Sequence, residues 1–219
     1  MAPILSHQEA RAFYDRFGAR QDAQAFYEDP ATAVLIAHGA FEAAGAVFEF
    51  GCGTGRLACR LLAGHLPPDC RYRAVDASPT MVRLAGARLG RWGERVEVAL
   101  TDGAMALDAA DRGLDRFVAT YVLDLLSDRD IQALLAEAHR ILRPQGLLCL
   151  AGLTHGKTFF SRLVSGAWAG VHALRPKLVG GCRPIDIAAT LPAAAWRIRH
   201  RSAVTGFGVP SEVVVAVRR

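Results

Sequence analysis

The stretch Val47-Phe48-Glu49-Phe50-Gly51-Cys52-Gly53-Thr54-Gly55 decides how the rest of the chain is read. A short apolar run meets three glycines at alternate positions, after which Leu57, Ala58, Leu61 and Leu62 recur at helical spacing. The pattern is a strand, a tight turn and a helix. Glycine allows the sharp turn and close approach of a ligand to the backbone, while the start of the helix presents unpaired N–H groups. Such a turn at the carboxyl edge of a parallel sheet is a nucleotide site in general. By itself it does not separate a dinucleotide fingerprint from a structural glycine turn.

Outward from this unit the same alternation recurs. A strand at 71–76 ends in Asp76, and a helix at 79–89 follows with Ser78 as cap and Pro79 at its first position; 95–100 alternates as a strand. The run Phe117 to Leu123 reads as a fourth strand. A helix capped by Ser127 follows, with Ile131, Leu134, Leu135, Ala138 and Ile141 on its apolar face, and Pro144 and Gly146 turn the chain into a strand at Leu147–Leu153. Strands alternating with helices predict a parallel sheet covered on both faces. Upstream, residues 6–41 read as helical, with a Ser6/Glu9 capping box and a second start at Asp29-Pro30. Downstream, 160–174 suits a helix, whereas Trp196–Val204 and Glu212–Val217 are two strands with no helix between them, so they pair antiparallel or lie apart. With neither repeat nor linker, 1–219 reads as one domain: a helical cap at 1–44, a cofactor-binding core at 45–155, and a substrate-side helix with a strand pair at 156–219.

Composition removes other classes. The 219 residues are 52% hydrophobic and 21% charged, too apolar and too balanced for a disordered chain. No run of about 18 uncharged apolar residues occurs and the start lacks a secretory leader, so the cytoplasm is the expected location. Five cysteines without a C-x-x-C spacing predict reduced thiols, with neither a disulfide framework nor a zinc site. The net charge of +5 is uneven. Residues 157–219 hold ten Lys and Arg against Asp186 and Glu212, a local +8, and the remainder is −3. An excess of this kind serves an anionic partner or is a solvated basic face.

Asp76 lies at the end of the second strand, placed to accept from the two hydroxyls of a ribose. Thr101-Asp102-Gly103 puts another carboxylate at the same edge. Together these residues resemble the class I S-adenosylmethionine-dependent methyltransferases: Glu49-x-Gly51-x-Gly53-x-Gly55, Val75-Asp76-Ala77-Ser78-Pro79-x-Met81, Asp102-Gly103, 117–126, then Leu142-Arg143-Pro144-x-Gly146, in the family's order. The likeness covers about residues 45–155 and looks nearest to the ubiquinone, menaquinone and phospholipid methyltransferases. It implies a doubly wound seven-stranded sheet in the order 3-2-1-4-5-7-6 with an antiparallel last strand, and S-adenosyl-L-methionine as cofactor. The loop Glu49, Gly51, Cys52, Gly53 and Gly55 is then expected to hold the methionine moiety and Asp76 with Ala77 the ribose. Met81 would pack on the adenine, Asp102 and Gly103 would bind it, and Tyr121 would line the cofactor.

After the fourth strand the chain reads Thr120-Tyr121-Val122-Leu123-Asp124, without the Asn-Pro-Pro-Tyr of base- and glutamine-methylating members or the Pro-Cys of cytosine enzymes. Nucleic acid is therefore disfavoured, and a small lipophilic or aromatic acceptor is expected, enclosed between Tyr14 and the 159–171 helix. Asp124, His155 and Tyr14 are the candidates for a catalytic role, and no metal site is expected. Peripheral membrane association is the expectation attached to the basic tail. The alternatives are a nicotinamide-dependent oxidoreductase, which shares the glycine turn and acidic residue, and a methyltransferase-like binding subunit without activity.

Overall fold

The alternating pattern folds, in the computed structural model, into one mixed sheet; residues 4–219 are described. Its strands are β1 (Ala46–Phe50), β2 (Arg71–Asp76), β3 (Val96–Leu100), β4 (Leu114–Thr120), β5 (Leu142–Leu153), β6 (Trp196–Gly206) and β7 (Val209–Arg218), in the order β3-β2-β1-β4-β5-β7-β6. The first five are parallel, and β7 runs antiparallel to both β5 and β6. Helices are α1 (His7–Phe17), α2 (Ala25–His38), α3 (Arg56–Gly64), α4 (Pro79–Leu89), α5 (Asp128–Ile141), α6 (Phe159–Leu174) and the short α7 (Ile187–Thr190).

Side chains alternate across the strands, so the core forms as two layers. On one face Val47, Tyr72, Val118 and Val215 meet Leu35 of α2, Leu61 of α3 and Leu89 of α4. On the other, Phe48, Phe117, Leu148 and Val214 meet Ile131 and Leu134 of α5 and Ile187 of α7. The register pairs Phe50 with Val75, Asp76 with Leu100 and Thr120 with Ala151. The residues that leave these strands, Gly51, Ala77, Thr101 and Tyr121, therefore emerge along one edge of the sheet.

Several strand ends shift from the sequence reading: β4 starts at Leu114, β5 at Leu142 with an irregularity at Pro144–Gly146 before Leu147, and β6 and β7 run longer. Two further boundaries differ for reasons of packing. The second helix starts at Ala25, not at Asp29-Pro30, and carries Pro30 inside it. Proline there removes one intrahelical N–H. The helix continues because Ala31, Leu35 and Ile36 bury against the sheet. The fourth strand ends at Thr120, since Tyr121 takes a left-handed φ of 56° and residues 123–125 form a 3-10 turn. Val122 and Leu123 are buried, so the apolar run that read as strand reflects burial in a loop.

Candidate active site

The glycine loop is held from below by the neighbouring strand and its terminal carboxylate. Gly51 and Cys52 N–H groups donate to the Val75 carbonyl at 2.8 and 3.0 Å. The Gly53 N–H donates to Asp76 Oδ2 at 2.8 Å and the Ser78 N–H to Oδ1 at 2.9 Å. Asp76 thus joins the turn after β2 to the turn after β1. Burial raises its pKa, opposed by the N–H groups of Ser78, Gly53 and Ala77. Each carboxylate oxygen keeps a lone pair for a ligand hydroxyl. Gly51 has φ 74°, and a Cβ there would lie 2.4 Å from Val122 Cγ2; Gly53 has φ 53°, and a Cβ would lie 2.6 Å from Gln21 Oε1. Conformation disfavours a side chain at both positions, and at Gly51 space does as well, whereas the Gln21 amide at Gly53 is the movable end of a flexible side chain.

Over this loop lies an open cleft. Gly51, Gly53, Asp76, Ala77 and Ser78 form its floor, with Met81, Thr101, Gly103 and Met105 toward the β3 side. Its other walls are Leu5, Ala10 and Tyr14 from the N-terminal segment and Tyr121, Val122, Leu125 and Leu126 after β4. A second, polar hollow shares Gln21, Gly51, Thr120 and Tyr121 with the cleft and adds Asp22, Glu28, Arg56 and Arg60. There Arg56 pairs with Glu28 at 3.4 Å and with Asp29 at 2.9 Å. Burial pushes the Glu28 carboxyl up to about 7 despite Arg56.

The expected site residues divide between this cleft and the layers around it. Gly51, Gly53, Asp76, Ala77, Met81, Gly103, Tyr14 and Tyr121 line it. Cys52 and Glu49 reach only the polar hollow. Glu49 is buried and accepts from the Tyr72 hydroxyl at 2.9 Å, and burial pushes its carboxyl up to about 8. Gly55 packs against Ala85 and Leu89 of α4. Asp102 is exposed outside the lining and caps the next turn, accepting from the Ala104 N–H at 2.8 Å.

The catalytic candidates separate further. Asp124 is fully buried behind the wall, not in it. Its Oδ2 accepts from the Leu153 N–H at 3.2 Å, its Oδ1 has no partner among the described residues, and burial pushes its pKa up to about 7. His155 lies in a separate surface groove with Gln132, Arg183 and Thr190. Tyr14 meets Cys182 Sγ at 3.7 Å, and burial raises its hydroxyl well above the usual tyrosine range. The 159–171 helix does not line the cleft. Its Trp168 packs on Tyr27 at 6.4 Å, and Tyr27 packs on Tyr121 at 5.7 Å, one layer behind the wall.

Sequence reasoning passed over Gln21, Glu28 and Arg56. They stand in no motif, and only the folding of the N-terminal helices over the loop brings them to it. One usable signal was chemical: the carboxylate of Asp15, which the fold places in the last turn of α1. Asp15 Oδ1 accepts from Ser78 Oγ at 2.5 Å and from the Thr80 N–H at 3.3 Å, tying α1 to the start of α4.

A glycine loop, a carboxylate after β2 and the order β3-β2-β1-β4-β5-β7-β6 define a class I methyltransferase fold. Residues 47–146 match the family described as "Methyltransferase domain". Over those residues the chain carries a methyltransferase domain of the class I S-adenosylmethionine-dependent kind. It is similar to the malonyl-[acyl-carrier protein] O-methyltransferase of Hahella chejuensis, 35% identical over 126 residues, 57% of this chain and 41% of the relative. It is also similar to the carboxy-S-adenosyl-L-methionine synthase of Chromohalobacter salexigens, 32% identical over 107 residues, 48% of this chain and 38% of the relative. The chain thus spans about two fifths of the length of these curated relatives. Among solved structures, the N-methyltransferase NodS from Bradyrhizobium japonicum, in complex with S-adenosyl-L-homocysteine, superposes with a TM-score of 0.71 at 18% identity, covering 95% of this chain and 98% of that one. That likeness is one of fold.

Proposed function

We propose that this chain transfers the methyl group of S-adenosylmethionine to a small acceptor with apolar or aromatic bulk. One observation carries the reading: the cleft joins a floor of glycine backbone and Asp76 to walls of Tyr14, Met105, Val122, Leu125 and Leu126. The residues present fit the cofactor. Gly51 and Gly53 form a cradle that a Cβ would fill, and Gln21 Oε1 beside Gly53 is buried without a partner among the described residues.

In this reading Asp76 accepts from the ribose hydroxyls, while Met81, Thr101 and Gly103 surround the base. The amino-acid end takes the polar hollow, where Glu28 and Asp22 suit an ammonium and Arg56 and Arg60 a carboxylate. When bound, the cofactor supplies a methyl group on a positively charged sulfur that leaves readily. The chain's part is then to align an acceptor, which supplies up to about 7–11 kcal/mol in favourable cases. Tyr14 is the one of the three catalytic candidates that faces the cleft. Its burial keeps the phenol neutral, so it orients an acceptor by hydrogen bonding and does not take its proton. Asp124 and His155 carry no direct role here, being outside the lining.

Calorimetry with S-adenosylhomocysteine tests the reading. Asp76→Asn removes the charge from an acceptor of ligand hydroxyls and should weaken binding by about 1.5–3 kcal/mol, roughly 10- to 150-fold. Unchanged affinity in the folded variant removes Asp76 from the ribose. Binding of a nicotinamide cofactor in place of S-adenosylhomocysteine overturns the reading as a whole.

A further inference from the structure

Helix α6 leaves much of its apolar surface uncovered. Ser161, Ser165 and His172 share its inward face and are buried, the His172 ring meeting the Gly181 carbonyl at 3.1 Å. Apart from Trp168 and Val164, which pack inward, its large apolar residues face outward: Phe159 is 87% exposed, Phe160 61%, Leu163 62% and Leu174 85%. A helix docked on a protein core presents the opposite arrangement. The patch extends past the helix. Phe160 sits against Gly208 of the β6–β7 turn, whose neighbour Phe207 is 82% exposed and packs edge-on to Phe26 at 5.7 Å. Contiguous apolar surface of this kind on a water-soluble fold marks a docking site.

The charges around the patch indicate what covers it. From 156 to 185 the chain contains no Asp or Glu. Lys177 and Arg183 are engaged by Glu9 and Asp128, whereas Lys157, Arg162 and Arg175 make no ion pair among the described residues and lie exposed beside the phenylalanines and leucines. A second copy of this chain is a poor occupant, because a two-fold contact sets the patch against itself and brings these cations together without a counter-charge. An anionic lipid surface satisfies both features, taking the aromatic and leucine side chains at the headgroup boundary and the cations at the phosphates. None of the described helices is long and apolar enough to cross a membrane, so the attachment is superficial.

We propose that the outer face of α6, with the Phe207 turn, docks this protein on an anionic bilayer. The inner face of the same helix reaches the cleft wall through Trp168, Tyr27 and Tyr121. Docking there would hold the cleft close to a lipid-dissolved acceptor. The docking itself is independent of the methyl-transfer reading, and its test needs no cofactor.

Flotation of the full chain with vesicles of phosphatidylcholine, alone or mixed with phosphatidylglycerol, decides it. Wild type should float with the mixed vesicles at low salt and be released as salt is raised. Arg162→Gln should lower the partition coefficient about fivefold, the equivalent of about 1 kcal/mol per basic residue. Phe159→Ser, at an exposed position that leaves the core intact, should lower it about tenfold. Absence of flotation at low salt, or flotation unaffected by Phe159→Ser, overturns the proposal. So does a lipid-free dimer in light scattering that Phe159→Ser dissolves, which assigns the face to a second copy.

Discussion

Gly51 illustrates what a single position contributes here. Its φ of 74° is one that L side chains rarely adopt, and a Cβ would collide with Val122 at 2.4 Å. Gly51→Ala should therefore cost at least about 1 kcal/mol in stability from backbone strain alone. It should also weaken S-adenosylhomocysteine, because Val122, a cleft residue, must move. Denaturant titration and calorimetry on the same variant read the two effects separately.

Glu49 is a second residue whose surroundings set its behaviour. Burial holds its carboxyl at about 8, well above an exposed glutamate. The folded state therefore binds a proton that the unfolded state releases at lower pH. Its contribution to stability is full below the unfolded value near 4 and declines as pH rises toward 8. Asp124 and Glu28, raised to about 7, act in the same sense. Glu49→Gln keeps an acceptor for the Tyr72 hydroxyl and no longer ionises. Its stability should fall less between pH 5 and pH 8.5, by at least about 1.4 kcal/mol, one pKa unit. An equal fall in both proteins would mean that Glu49 titrates normally.

At the scale of elements, local signals and packing act in turn. Helix α5 begins where its sequence says: the Ser127 hydroxyl accepts from the Asp130 N–H at 3.1 Å. Ser127→Ala should cost about 1 kcal/mol, within a range of about 0.5–2, read as a shift in the denaturation midpoint without a change in slope. Helix α2 shows the opposite case, running through Pro30 because the sheet supplies its stability. In α6 the spacing of Phe160, Leu163, Val164, Trp168, Val171 and Leu174 indicates a helix correctly. Of these, Val164 and Trp168 are packed against neighbouring buried residues. Helical periodicity identifies the element without telling which of its faces the fold covers.

Across the whole molecule, the parallel register aligns the ends of β1, β2, β3 and β4, and the site is a consequence of that alignment. The edge strand β6 carries Arg197 and Arg199 into solvent, and Arg201 pairs with Asp186 at 2.9 Å and with Glu212 at 2.6 Å. Charges on an edge strand discourage pairing with another chain, which accounts for part of the basic C-terminal third. Lys157, Arg162 and Arg175 gather at α6.

The sequence by itself determined the alternation of strands and helices, the glycine loop and the place of Asp76 at the end of β2, because each depends on residues close together in the chain: a strand, its turn and the helix after it; the sheet order followed only from the likeness to the methyltransferases. It could not separate Asp124 and His155 from the cleft. Both follow parallel strands, but whether a side chain enters the cleft, lies behind its wall or faces another groove depends on which loops fold over that edge. The polar hollow of Glu28 and Arg56, the uncovered face of α6 and the covering of the loop by Gln21 were decided only by tertiary structure. Each joins segments roughly 30 or more residues apart, or depends on which helix face remains uncovered, and neither leaves a periodic trace in sequence.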